Sequence, residues 1–157
     1  MNVDAVARII HVLAVVIWIG GVAMVTLVVL PSLGSFEPEH RLMIFETIER
    51  RFAVIARLMV LLAGASGIYL VASLDLWDRF GAPAYWWMDA MVGLWAIFAV
   101  LLFVAEPYFL HRRFAQRMKE DPQATTVTMQ RFHIALLSLG LLVIAGAVAG
   151  AHGYLAQ

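Results

Sequence analysis

The sequence predicts an all-α integral membrane protein, a four-helix bundle with both termini on the outer side of the membrane (N-out/C-out). Hydrophobic residues make up 63% of the 157 residues, charged residues only 14%, and the mean hydropathy is +0.87. This composition is typical of membrane proteins. A bilayer core of ~30 Å needs about 20 apolar residues per helix. Four stretches are long enough, and together they predict a single transmembrane domain over 1–157: about 5–30, 52–74, 86–110 and 132–155.

Polar and helix-breaking residues separate these stretches. Pro31 ends the first, a polar segment at 75–85 joins the second to the third, and Asp121-Pro122 interrupts the loop before the fourth. Segment 36–50 mixes large apolar residues with charged ones, a pattern that predicts a helix lying in the membrane interface.

The orientation follows from the positions of the basic residues, since Lys and Arg are enriched in cytoplasmic loops. The side of the membrane that holds both termini and the 75–85 loop has only two basic residues, Arg8 and Arg79. We therefore expect both termini and the 75–85 loop to face outward, as in a multi-pass protein of a bacterial inner membrane. The loops at 31–51 and 111–131 carry eight basic residues: Arg41, Arg50, Arg51, Arg112, Arg113, Arg117, Lys119 and Arg131.

The composition also excludes several kinds of site and partner. The chain has no cysteine, which rules out disulfides, thiolate metal sites and iron–sulfur clusters. Its formal net charge is zero, so nucleic acid is not an expected partner. The expected partner is the lipid bilayer.

The strongest sign of function is His11, an ionisable residue inside the first apolar stretch. Such residues are costly within a membrane and mark functional sites by default. Arg8, His11 and Trp18 lie at i, i+3 and i+10 on one helical stripe. Gly20 and Gly21 follow, where a ligand or a neighbouring helix can approach the backbone. This combination predicts one wall of a cofactor site.

Depth along the helices identifies partners for His11. Met88 and Met91 begin the third stretch from the same outer side, and His152 approaches from the end of the fourth. Histidine and methionine are usual axial ligands of b-type haem, so His11 with His152 or Met91 would hold one haem iron. Arg8 would pair with a propionate, and Trp18 would stack on the macrocycle.

Two alternatives to haem remain open. Imidazole and thioether groups also bind Cu(I), which would make His11, Met88, Met91 and His152 transfer sites of a copper-handling protein. In the third interpretation His11 only hydrogen-bonds a backbone carbonyl or a serine across the bundle. The chain would then be a cofactor-free structural or assembly subunit.

The remaining histidines suggest a second site near the inner surface. His111 and His133 end the third stretch and begin the fourth. However, His133 and His152 are separated by ~28 Å along one helix, which would put two haems at opposite ends of the bundle. Ordinary interfacial histidines near lipid phosphates are the simpler explanation of His111 and His133, and His40 is expected in a loop.

Two further features concern packing. Arg57 and Glu106 lie at comparable depth in the second and third stretches. Neither should face lipid unpaired, so we expect a structural ion pair between them. The fourth stretch contains Gly146-Ala-Val-Ala-Gly150, a small-xxx-small motif that favours close helix packing and would permit a homodimer.

The first two spans resemble a known group. The motif His11-x6-Trp18-x-Gly20-Gly21, followed by Arg51-Phe52, Ala56-Arg57 and Ser66-Gly67-Ile68-Tyr69, resembles the membrane core of the copper resistance protein D group and of the HemJ-type protoporphyrinogen oxidases. The resemblance implies a bacterial inner-membrane protein, and its HemJ-type branch implies b-type haem on the residue corresponding to His11.

The third span departs from that pattern. HemJ-type proteins carry Trp-x-His-x-Lys there, whereas this chain reads Trp87-Met88-Asp89-Ala90-Met91. Because Met91 stands at the position of the lysine, the resemblance does not extend to protoporphyrinogen oxidase activity. The sequence thus predicts an inner-membrane b-type haem protein with one haem near the periplasmic side, for electron transfer with an unknown redox partner or for redox or gas chemistry.

Overall fold

The computed structural model describes residues 2–154, without the side chains of residues 38, 39, 109–112, 115 and 119. Over this range the chain is helical and contains no β-strand. We number the helices in chain order: α1 (Val3–Met24), α2 (Pro38–Ser73), α3 (Trp86–Val100), α4 (His111–Glu120) and α5 (Pro122–Ala151). The first π segment, Val25–Val29, extends α1, and the second π segment, Leu101–Leu110, joins α3 to α4.

Four continuous helical stretches within the described range are long and apolar enough to cross a membrane. They are Val3–Ser35, His40–Ser73, Pro83–Tyr108 and Pro122–Ala151. This finding confirms the predicted all-helical architecture with four apolar helices. The N-out/C-out orientation stays a prediction, and "outer end" below names only the end of the bundle that holds Val3 and Ala151.

Two helices begin earlier than the apolar stretches indicated. The segment predicted as a separate interfacial helix is continuous with the second span in α2, a helix of 36 residues. Helix α5 begins at Pro122, with the Asp121 side chain accepting from the Ala124 N–H. Hydropathy reports the part of a helix that contacts lipid, whereas proline at N1 and an N-cap residue determine where the helix starts.

The π segments were not predicted. Proline lacks an N–H, so Pro107 removes one helical hydrogen bond within the second π segment. In the first, the backbone carbonyl of Thr26 accepts from the Gln130 side chain of α5 at 2.7 Å. Such i→i+5 turns occur often at functional sites. Both π segments lie on the inner half of the bundle.

The helices form a closed ring. Helix α1 packs mainly on α2 and α3 mainly on α5, while α1–α5 and α2–α3 contacts complete the circle. Near the outer end the Tyr69 hydroxyl of α2 donates to Asp4 of α1 at 3.2 Å. At the other end of this antiparallel pair the Phe52 ring of α2 covers Gly21.

The bundle interior contains two apolar clusters, one in the middle of the bundle and one toward its inner end. The middle cluster is built around the buried Trp18 and Phe98 and receives residues from all four spans: Trp18, Ile19, Val22, Val60, Leu94, Phe98, Leu137 and Val143. The inner cluster includes Met118 of α4: Val25, Leu30, Leu33, Phe45, Met118 and Met129. Because lipid is as apolar as these side chains, close packing rather than water exclusion stabilises them.

Glycines of two helices receive tryptophan rings of α3. Trp86 lies against Gly146 and Trp87 against Gly150, so both ends of the small-xxx-small motif are covered within the chain. The motif therefore packs α3 on α5, and a homodimer, which stays a prediction, would need another surface. Gly64 of α2 receives Trp95 in the same way.

We expect Gly64→Ala to destabilise the bundle, because its Cβ would lie 2.7 Å from Nε1 of Trp95. That ring is held by a hydrogen bond to the Val60 carbonyl, and overpacking of this kind costs about 1–3 kcal/mol. The matched control is Gly93→Ala, since a Cβ at Gly93 meets nothing within 4 Å. Thermal unfolding in detergent compares the two variants, and equal midpoints would contradict the packing assigned to Trp95.

Candidate functional site

His11 lies on the face of α1 that packs against α2. Its Nδ1 is 2.9 Å from the Ala63 carbonyl oxygen and 3.1 Å from Oγ of Ser66. The Ser66 hydroxyl donates its one hydrogen to α2 itself, with Oγ 2.6 Å from the Leu62 carbonyl oxygen. Both neighbours of Nδ1 are therefore acceptors, and the proton of the neutral imidazole is on Nδ1.

The unprotonated Nε2 of His11 is the chemically available atom of this site. No described residue hydrogen-bonds it. A histidine that donates Nδ1–H to a carbonyl and keeps Nε2 free has the arrangement typical of metal-ligating histidines, whose second-shell acceptor orients the ring. Gly67 leaves the room for this ring, since a Cβ there would lie 3.2 Å from Cε1 of His11.

The same contact is the one that the third interpretation of His11 predicted, namely hydrogen bonding across the bundle to a carbonyl and a serine. It ties α1 to α2 whether or not Nε2 binds anything. The two roles are compatible, and they differ only in what Nε2 does.

The rest of the predicted wall is packed with protein. Trp18 is 3% exposed and meets Phe98 edge to face, with ring centroids 4.7 Å apart. Phe52 covers Gly21. These two positions therefore serve helix packing in this structure, and a cofactor wall that extends from Arg8 to Gly21 stays a prediction. The stripe was predicted without knowing which of its residues the other three helices would cover.

Arg8 lies one turn outward of His11 and is exposed. No ion pair joins it to another described residue. Its position suits a negatively charged group at the outer end of the bundle, in line with the propionate role predicted for it.

The two predicted second ligands lie at different depths. Trp95 of α3 contacts Val60 and Gly64 of α2. Met91 lies one helical turn closer to the outer end than Trp95 does. It is therefore at the same depth as Ala63 and Ser66, the residues of α2 that His11 contacts. His152 lies beyond the end of α5, exposed, with Nδ1 donating to the Val148 carbonyl at 2.8 Å. Depth therefore favours Met91 over His152.

Met88 and Asp89 complete the outer end of α3. Met88 is buried at 4% exposure. The Asp89 carboxylate accepts from the backbone N–H of Gly81 at 3.2 Å, and Gly81 has a φ of +75°. Asp89 thus fixes the loop before α3, at the position where HemJ-type proteins carry histidine.

An open groove runs beside the Ser66 contact of His11. The groove has a volume of about 270 Å³ and lies between α1 and α2. Its wall includes Ala7, Ile10, Ser66 and Tyr69. Typical cofactor sites are somewhat larger, at ~300–1,000 Å³. Among the described side chains no group of three or more histidines and carboxylates is arranged around a metal ion. A metal centre here would accordingly depend on His11 together with thioether or cofactor ligands.

The inner half contains a second polar region. Arg57 forms an ion pair with Glu106, and its Nε donates to the Leu102 carbonyl at 3.0 Å. The structure thus brings together the two residues that depth had paired. His133 is half-buried and donates Nδ1–H to Met129 O at 2.9 Å. The side chain of His111, its predicted partner, lies outside the described residues.

Glu49 was missed by the sequence argument. Together with Glu106 and His133 it lines a cavity of about 100 Å³, which we call the inner cavity. The available signal was its spacing, since Phe45, Glu49 and Phe52 lie at i, i+4 and i+7 on the apolar face of α2. A charged residue on that face was read as part of an interfacial helix.

We expect the Arg57–Glu106 pair to be coupled in a double-mutant cycle. Arg57→Leu and Glu106→Leu each leave one charge inside the membrane, which costs about 2.5–3.5 kcal/mol. The double variant should lose less than the sum of the two, because neither charge remains. Unfolding in detergent or bicelles measures the three variants. Arg50→Leu, at an exposed arginine of the same helix, is the control, and strict additivity would contradict the pairing.

No protein family, curated protein or solved structure matches this chain. The likeness to the copper resistance protein D and HemJ-type groups is therefore a resemblance of motifs alone.

Proposed function

We propose that this chain is a membrane b-type haem protein in which Nε2 of His11 is an axial ligand of one haem near the outer end. The observation that carries the proposal is the pair of acceptors at Nδ1, Ala63 O and Ser66 Oγ. They select the tautomer whose free nitrogen is Nε2 and fix the plane of the ring.

The other residues of the site would complete the binding of the group. Met91 would be the second ligand because it lies at the depth of His11, and Arg8 would pair with a propionate. Haem b, when bound, supplies one-electron redox chemistry with a potential set by axial ligands, burial and propionate partners. We place this activity in a bacterial inner membrane, with the outer end toward the periplasm and a redox partner still to be identified.

The chain's own contribution is to hold the imidazole ready. A free histidine side chain in a membrane would have to lose rotamer freedom and choose a tautomer when it binds. Here the α1–α2 contact has already done both, so less of the binding free energy is spent on ordering. Ser66 matters because its hydroxyl is committed to the Leu62 carbonyl and can only accept from Nδ1.

Copper handling is the competing proposal, and one observation supports it. Met88 and Met91 lie in the outer half of α3, Met88 buried and Met91 packed against the middle cluster. Thioethers together with an imidazole suit Cu(I). A path for copper deeper into the bundle has few candidate ligands. Met24 is 58% exposed, which leaves Met59, a residue that packs against the middle cluster.

The central experiment is the absorption spectrum of purified protein, with and without haem reconstitution. We expect a Soret band and a reduced α-band typical of haem b, both lost in His11→Ala, because the imidazole supplies the ligand. The matched control is His152→Ala, which removes an exposed outer histidine whose Nδ1 donates to its own helix. Colourless protein with stoichiometric copper would favour the copper proposal. Protein that binds neither would leave His11 with its structural role alone.

We expect Ser66→Ala to act on the potential rather than on haem content. It removes one of two acceptors at Nδ1 and leaves Ala63 O in place, so the imidazole becomes a weaker donor to the iron. Second-shell partners of this kind tune the basicity of the ligand and with it the redox potential of the metal. Redox titration of the α-band measures the midpoint potential, with Ser73→Ala at the exposed end of α2 as control. An unchanged midpoint would argue against the positioning role.

We expect Met91→Leu to change the spectrum of the low-spin haem, whereas His152→Ala leaves it unchanged. Loss of a thioether ligand opens one coordination position of the iron, and leucine keeps the packing volume nearly constant. Magnetic circular dichroism of the reduced protein distinguishes the two ligands. A change confined to His152→Ala would assign the second ligand to that residue instead.

A further inference from the structure

The inner cavity differs from the surrounding bundle in its lining. It lies between α1, α2, α3, α4, α5 and the two π segments, and holds about 100 Å³ of space. Phenylalanines from four of these elements form much of its wall: Phe45, Phe52, Phe98, Phe114 and Phe132. Among them stand the carboxylates of Glu49 and Glu106 and the imidazole of His133.

The charges around this space are unequal. Arg57 neutralises Glu106. Glu49 has no ion pair or hydrogen bond with the side chains that the structure describes. Carboxylates within a membrane are costly unless they are paired. The ionised form of Glu49 therefore has no described cation at this cavity to compensate its charge.

The polar atoms that can reach a ligand are acceptors. His133 donates Nδ1–H to Met129 O, which leaves Nε2 with a lone pair, and an ionised Glu49 can only accept. A ligand that satisfies both must bring N–H donors. Phenylalanine rings attract the same kind of group, because their faces carry negative quadrupole charge that favours ammonium ions.

The backbone at this level is also unusual. Val25 and Val29 of the first π segment and Leu101, Leu102 and Glu106 of the second all line the cavity. Two separate π segments thus face one space. Since π turns are rare in helices and frequent at functional sites, this convergence is evidence independent of the charges.

We propose that the inner cavity binds a small organic cation, a protonated amine on an apolar body smaller than an aromatic ring. Glu49 supplies the counter-charge, His133 an acceptor, and the phenylalanines the surface for the apolar body and the cation. Size sets the upper limit, because benzene needs an apolar cavity of ~150 Å³ and this one holds about 100 Å³. This site is separate from His11, which lies about 14 residues, or ~20 Å, from Val25 along the first span.

The test uses the purified full chain in lipid nanodiscs, with propylammonium as probe and 1-propanol as its neutral analogue. Calorimetric titration should give saturable binding of the ammonium, about tenfold or more tighter than the alcohol, because the alcohol lacks the ion pair and the cation–π contact. Glu49→Gln should remove this preference. Glu37→Gln, at an exposed carboxylate outside the cavity wall, should retain it.

A second variant keeps the test decisive if Glu49→Gln fails to fold. Ala53 is 5% exposed and lines the cavity, so Ala53→Leu fills the space and leaves every charge in place. It should abolish binding of both probes. Equal affinity for ammonium and alcohol, or full binding by either Glu49→Gln or Ala53→Leu, would overturn the proposal. His11→Ala should bind the ammonium like the parent, which separates this result from the outcome of the haem experiment.

Discussion

Side-chain N–H groups that donate to the backbone of a neighbouring helix hold this bundle together. His11 donates to Ala63 O, Trp95 to Val60 O, Arg57 to Leu102 O and Gln130 to Thr26 O. In lipid a polar group has no water to bond with and an unpaired donor is costly, so a donor that meets an acceptor on another helix ties the two helices together. These bonds connect α1 with α2, α2 with the third span, and α5 with α1. The apolar clusters fill the space that they define.

The same constraint explains why the two polar regions lie where they do. Each is built around a side chain that a neighbouring carbonyl already holds: His11 in the outer half, Arg57 in the inner half. The first leaves a nitrogen lone pair available and the second leaves Glu49 without a described counter-charge. One region therefore suits a metal-centred group and the other a cation with N–H donors. The Trp18–Phe98 contact and the surrounding middle cluster separate them.

The sequence predicted the features that depend on composition and depth. The four apolar helices and the meeting of Arg57 with Glu106 both follow from the cost of exposing polar groups to lipid. The details of packing were less accessible. That Trp18 would meet Phe98, or that Phe52 would cover Gly21, depends on how four helices rotate about their axes, and apolar residues all round a helix give no such signal.

The backbone irregularities were missed for a related reason. Pro107 marks a break in helical hydrogen bonding but does not indicate whether a kink or a π turn follows. The continuity of α2 was not predicted, because charged residues are frequent in its first part and rare in its second part. The helix nevertheless runs through both parts without a break. Glu49 was overlooked with it, since its importance depends on Glu106 and His133, which are distant in sequence and adjacent only in the folded bundle.

The second π segment has a consequence for how the chain tolerates change in length. It accommodates extra residues within a span whose ends are set by the bilayer, and α3 enters it with Trp95 fixed on α2. Deleting one residue between Leu101 and Glu106 would let the segment return to ordinary α geometry. Because a π turn holds one residue more than the α turn that replaces it, the helix beyond would keep its orientation and Glu106 would still face Arg57. In this part of the protein a one-residue deletion is therefore less disruptive than in the ordinary α-helical part of the same span.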